Sequence, residues 1–312
     1  MTAPIGIEVW RGGVNTWECD WMGHFNVRFY VAALEESLAS FAAQLGLEDA
    51  FATTAGATVL VRDQHIRFQK ESHAGDLIYM TAGVLEMGES DARFLFVLWR
   101  QKDQLPGASF MVRVSHVTAG DERPFPWPAL ARKKAAALMV EAPDYARARS
   151  VTEAPIGSGA SLKRADELGL MRLTSGVIMP HDADVFGRMN SQVFIGRVSD
   201  GVAGLVGDFR RAVAEHAETK PARAGGAVLE NRLSYFRMPR IGDRFEIRSG
   251  TSALDGRTMA LFHWLLDPRT GEAWGAASAV AIVLDLDTRK IIPVSPAADA
   301  VLRPKLIAAE GL

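Results

Sequence analysis

The sequence predicts an α+β protein built of two similar halves, each a long helix covered by a curved antiparallel sheet. Three observations predict it: an internal repeat, one amphipathic helical stretch in each half, and the short β-branched or aromatic runs that follow it. The repeat comes first because it decides the architecture. Cys19-Asp20-Trp21-Met22-Gly23-His24-Phe25-Asn26 lies on Ala183-Asp184-Val185-Phe186-Gly187-Arg188-Met189-Asn190 at an offset of 164 positions, with Asp, Gly and Asn coinciding and Tyr30 falling on Phe194. Downstream, Phe68 precedes Gly75-Asp76 by seven positions and Tyr235 precedes Gly242-Asp243 by the same seven, at an offset of 167. A looser echo closes each half, Arg123-Pro124-Phe125-Pro126-Trp127-Pro128 and Arg289-Lys290-Ile291-Ile292-Pro293-Val294. Two ordered anchors at nearly constant offset point to a tandem duplication. Linker composition at Ala142-Pro143-Asp144 and around Gly157-Ser158-Gly159 puts the halves at 1–142 and 169–312, joined by a linker over 143–168.

Each half begins with a short expected strand, at 7–10 and at 170–174, ahead of the Asp-x-x-Gly motif. After the motif, Val27, Tyr30, Val31, Leu34, Leu38, Phe41 and Leu45 recur at spacings of three and four, which is one face of a helix of about five turns. Phe194, Val198, Val202, Leu205 and Phe209 repeat that face, and Gly46 is placed to end the first helix. Strand-like runs follow at 58–61, 66–68, 77–81, 94–99 and 109–114, and in the second half at 245–247, 259–264 and 279–284. A helix apolar along so much of its length needs a sheet to cover it.

Composition removes several function classes. The chain has 312 residues, 48% apolar and 23% charged, which suits a soluble packed protein. A net charge of -2 supplies no long-range field for a polyanion, so nucleic acid is not expected as a partner. One cysteine, Cys19, excludes an internal disulfide framework and a multi-cysteine zinc site. Residues 1–8 lack a basic stretch followed by an apolar one, and no apolar run approaches the roughly 20 residues that span a bilayer. A cytoplasmic protein with no membrane partner is the expectation.

Asp20-x-x-Gly23-His24-x-Asn26-x-x-x-Tyr30, with Glu35 five positions on, resembles the motif of hotdog-fold acyl-CoA thioesterases of the 4-hydroxybenzoyl-CoA thioesterase type. The aromatic-x6-Gly-Asp element and the closing basic-proline segment are similar to that family as well. The second copy matches less closely, with Arg188 where the family often has His and Ser199 where it has Glu. Plant acyl-carrier-protein thioesterases are similar in being fused double hotdogs, although Met22 stands where their motif has an extra Asn. The resemblance implies a tandem double hotdog and an acyl-CoA thioesterase whose substrate is an acyl-CoA or acyl-carrier-protein thioester. It also implies a possible homodimer of double hotdogs and no cofactor, coenzyme A entering only as part of the substrate.

Thiolate is a good leaving group, its conjugate acid having a pKa of about 8.5 with cysteine as the reference. Such a site needs a nucleophile and a place for the oxyanion. Asp20 can act as general base toward water or attack the carbonyl itself. Amides around Gly23 and Phe25 are expected as oxyanion donors, Gly23 letting a ligand approach the backbone. His24 is expected to polarise the carbonyl or orient water, Asn26 to hold either, Tyr30 to contact substrate, and Glu35 to serve as a secondary base. Asp184, Gly187, Arg188 and Asn190 form the second-copy site, where a guanidinium cannot be a base but can pair with Asp184 or bind an anion. Asp20 and Asn26 also suit plain helix capping, and Glu35 with Glu36 a solvated helix face. Cys19 is discounted as a nucleophile, having no base beside it and Ala183 as its counterpart. No His/Asp/Glu set shows metal-ligand spacing along the chain, so no metal is expected. An enoyl-thioester hydratase and a non-catalytic acyl-thioester binder are the alternatives.

Overall fold

A computed structural model describes residues 4–308, so the first three residues of the N-terminal reading lie outside the described chain. The first copy runs β1 (Ile7–Gly13), α1 (Val27–Gln44), β2 (Ala57–Phe68), β3 (Leu77–Met87), β4 (Asp91–Arg100), β5 (Leu105–Thr118) and α2 (Ala129–Ala136). The short α3 (Leu162–Glu167) precedes the second copy, which runs β6 (Met171–Val177), α4 (Ser191–Glu215), β7 (Ala224–Tyr235), β8 (Arg244–Asp255), β9 (Thr258–Leu266), β10 (Ala273–Asp285) and α5 (Pro296–Leu302). The strands of the first copy are ordered β1-β3-β4-β5-β2 and those of the second β6-β8-β9-β10-β7, antiparallel at each pairing. Strand for strand this is one arrangement used twice.

The duplication reaches finer detail than the motifs. The pairing of β2 with β5 slips between Val61 and Asp63, leaving Arg62 as the extra residue of a bulge. The pairing of β7 with β10 slips at Leu229, which is Arg62 displaced by the same offset of 167 as the Gly-Asp anchor. This bulge also explains why one strand reads as two runs in the sequence. Arg62, Asp63, Gln64 and His65 break the apolar pattern at 58–61 and 66–68, yet β2 continues through them, with Gln64 and His65 buried. Strand β7 carries no comparable run. Gly225 and Gly226 weaken its β signal, and its buried Glu230 accepts the amides of Arg149 and Ser150, so its polar interior is satisfied by the chain that precedes β6.

By contacts the chain divides into two compact units. One holds Met1–Arg147, Met179–Gly196 and Pro239–Ile241; the other holds Ala148–Ile178, Arg197–Met238 and Gly242–Leu312. The second-copy motif and the first turns of α4 therefore belong to the unit of the first copy. In that unit α1 turns Tyr30, Val31, Leu34, Leu38 and Phe41 inward, and Phe41 meets the rings of Phe94 and Phe96 of β4 edge-on at centroid distances of 5.1 and 5.8 Å. Helix α1 ends as the sequence suggests, with Gly46 at φ 85° just beyond the cap residue Leu45. In the other unit Phe209 and Val213 of α4 pack with Met259 and Leu261 of β9 and with Ala279, Ala281 and Val283 of β10. No helix among the described residues is long and apolar enough to cross a membrane.

Candidate active site

Both motifs fold into the same turn. Asp20 Oδ1 accepts the amides of Met22 at 2.8 Å and His24 at 3.0 Å, while the Asp20 amide donates to the His24 carbonyl at 2.8 Å. Asp184 Oδ1 accepts the amides of Phe186 at 2.8 Å and Arg188 at 3.0 Å, and the Asp184 amide donates to the Arg188 carbonyl at 2.7 Å. Gly23 and Gly187 sit at φ 83° and 74°, a conformation that costs a side-chain-bearing residue energy. The repeated Asp-x-x-Gly spacing is thus first a turn-forming device.

Asn26 follows as the cap of α1, its Oδ1 accepting the Arg28 amide at 2.9 Å. Asn26→Ala should cost about 1 kcal/mol of stability in chemical denaturation; an unchanged midpoint would show that the cap contributes nothing. The amides expected as oxyanion donors are already committed. Gly23 donates to the Asp20 carbonyl at 2.9 Å, His24 to Asp20 Oδ1, and Phe25 to the Ser72 carbonyl at 2.8 Å. The open donor at this helix start is Val27, first residue of α1, whose amide has no partner among the described residues. Tyr30 lies in the core against Phe25 and Phe68, at centroid distances of 4.6 and 5.3 Å, and burial pushes its phenol up to about 12. That location gives its ring a packing role between the start of α1 and the end of β2.

The two aspartates differ in their second oxygen. Asp184 Oδ2 is gripped by Arg188, through Nε at 2.9 Å and Nη2 at 2.7 Å, and Arg188 is buried over the ring of Phe186. Asp20 Oδ2 has no partner among the described residues, because the residue placed like Arg188 is His24 and that imidazole turns elsewhere, its Nε2 3.7 Å from Glu71 Oε2. The thiol of Cys19 is pushed up, chiefly by burial, which fits its exclusion as a nucleophile.

Glu35 does not join Asp20. Its Oε1 accepts the Ser191 hydroxyl at 2.9 Å and the Gln192 amide at 3.2 Å, so it covers the first turn of α4. Gln64 Nε2 donates in turn to the Ser191 hydroxyl at 2.9 Å. Burial raises the Glu35 carboxyl to about 7; hydrogen bonds from Ser191 and Gln192 oppose the rise and the charge of Asp184 adds to it. Its neighbour Glu36 is fixed differently, accepting the Trp10 indole at 2.8 Å. Gln64 and Ser191 were not singled out by sequence reasoning; the available signal was the polar gap inside an apolar strand.

The chain also assembles a group that its sequence spacing hides. His24, Glu71 and His73 each offer one ligand atom, and these atoms lie within 4.8 Å of one another. Spacing along the chain does not announce this set, because two of the three come from the segment after β2, paired to the motif across a bridge between His24 and His73.

The sequence profile of the family described as the Thioesterase-like superfamily matches residues 14–135 and 178–302. Among solved structures the chain is similar to a Lactobacillus plantarum protein assigned as an oleoyl thioesterase, with 10% identity, TM-score 0.67, and 89% of this chain and 96% of that one covered. It is also similar to an acyl-ACP thioesterase of Bacteroides thetaiotaomicron, with 10% identity, TM-score 0.60, and coverage of 87% and 96%. The 12:0-ACP thioesterase of Umbellularia californica gives 12% identity, TM-score 0.63, and coverage of 87% and 92%. At such identities the likeness shows the fold alone, which is the α+β double hotdog. No curated protein matches the chain.

Proposed function

Because the chain belongs to the Thioesterase-like superfamily, we propose that it hydrolyses an acyl thioester carried on coenzyme A or an acyl-carrier protein, with Asp20 as general base or nucleophile. The observation that carries the assignment is the contrast between the two aspartates. Asp20 is anchored through Oδ1 and keeps Oδ2 uncommitted, whereas both oxygens of Asp184 are engaged. An anchored carboxylate with one open oxygen has the preorganisation that attack on a carbonyl, or on a water beside it, requires.

The Val27 amide, at the positive end of α1, is the donor best placed to receive the developing oxyanion. The leaving thiolate needs little help, so no strong acid is required. In the second copy the corresponding resources are used up: Arg188 neutralises Asp184, and Glu35 covers the opening turn of α4. One working site per chain follows.

A second reading gives Glu35 the role of base. Its carboxyl, raised to about 7, has the proton affinity suited to general-base work at neutral pH. The test is a panel of acyl-CoA and acyl-carrier-protein thioesters incubated with the purified protein while free thiol is trapped. Thiol release supports the hydrolase; water addition to an enoyl thioester without thiol release would indicate a hydratase, and binding without either a carrier.

A further inference from the structure

We propose that His24, Glu71 and His73 form a binding site for one divalent transition-metal ion of the zinc class. Two imidazoles and one carboxylate are the donor set such borderline cations take, with the remaining position left to water. Their ligand atoms already fall within 4.8 Å of one another, and His24 Nε2 is 3.7 Å from Glu71 Oε2. Tetrahedral coordination at bond lengths of 2.0–2.1 Å asks for ligands about 3.3 Å apart, so the closing movement is of the order of an ångström. His73 is exposed and its side chain is able to make that movement by rotation.

The backbone at the site is pinned from several directions. Phe25 donates to the Ser72 carbonyl at 2.8 Å, between the two ligand-bearing residues of that segment. The His73 amide donates to Asp76 Oδ2 at 3.0 Å and the Asp76 amide to the His73 carbonyl at 3.0 Å, so the Gly-Asp element of the repeat holds His73 in its turn. Arg100 donates to the Glu71 carbonyl at 2.6 Å. The donors are thereby carried on a frame fixed before any cation arrives.

The duplication supplies an internal control. The bridge between His24 and His73 recurs between Arg188 and Arg240, and Met189 donates to the Pro239 carbonyl as Phe25 does to Ser72. At the positions of His24, Glu71 and His73 the second copy has Arg188, Met238 and Arg240. One backbone thus carries a metal-binding donor set in one copy and two guanidinium groups in the other. Arg240 serves that second turn by donating to the Phe186 carbonyl at 3.3 Å, and its other terminal nitrogen donates to Glu122 at 2.9 Å.

The experiment uses the full chain, stripped with chelator and desalted, then dialysed against zinc(II) with metal content measured, and titrated with cobalt(II) while its visible absorption is followed. One equivalent per chain with an absorption band of low-symmetry cobalt is expected. His73→Ala and Glu71→Gln should each weaken binding by at least about tenfold, with circular dichroism unchanged, while Arg240→Ala leaves it intact. Failure of the wild-type chain to retain zinc, or equal affinity in His73→Ala and wild type, overturns the proposal. None of these readings depends on turnover, so the outcome stands apart from whether the thioesterase assignment holds.

Discussion

Asp20→Asn lowers the turnover number for the best thioester by two or more orders of magnitude, with KM little changed. Asparagine keeps an Oδ1 acceptor for the amides of Met22 and His24, so the turn and its glycine survive. What is lost is the anion on the open oxygen, and with it general-base or nucleophilic assistance worth roughly a hundredfold or more. Asp184→Asn should cost far less activity, since that carboxylate is already paired with Arg188. Its cost falls on stability, because a buried guanidinium loses its counter-charge. Steady-state kinetics on both variants decides the matter, and equal losses of turnover would refute the single working site.

Glu35→Gln changes the pH dependence of stability. The carboxyl rises from 4.5 to about 7 on folding, so the folded state holds its proton more tightly than the unfolded chain. The stability this gives is complete below pH 4.5 and is lost as pH rises through 7. Glutamine does not titrate and can still accept from Ser191 and Gln192. The variant should therefore match wild type in acid and exceed it above pH 7, by an upper bound of about 3 kcal/mol that partial exposure of the carboxylate reduces. Urea denaturation at pH 4.5 and pH 8 measures the gap; a difference independent of pH contradicts the raised carboxyl. The same protein serves as a kinetic control. Turnover within a few-fold of wild type keeps Asp20 as the base, and a loss larger than that of Asp20→Asn transfers the role to Glu35.

Much of the fold was legible because its signals are local. Helix α1 is written in the three- and four-residue spacing from Val27 to Leu45, and the turn in Asp20 and Gly23 with their echoes 164 positions on. Strand β7 was not legible, because Glu230 and Asn231 are buried polar residues whose partners the pattern cannot announce. The same reason limits the site. Gln64 meets Ser191 across 127 positions, and Glu35 meets it across 156, so their polarity inside apolar elements was visible while its purpose was not. The oxyanion expectation failed on a countable point: Gly23, His24 and Phe25 spend their amides on the turn, and the first open amide comes only at Val27.

The bulge shared by β2 and β7 and the turn shared by both motifs mean that the two copies have kept one backbone while exchanging side chains upon it. The eight residues 19–26 and 183–190 consequently follow one backbone path, with equal length, the same glycine conformation and the same anchoring bonds at both ends. The difference between the two turns therefore lies in side chains alone, at five of their eight positions, with no insertion or deletion between them.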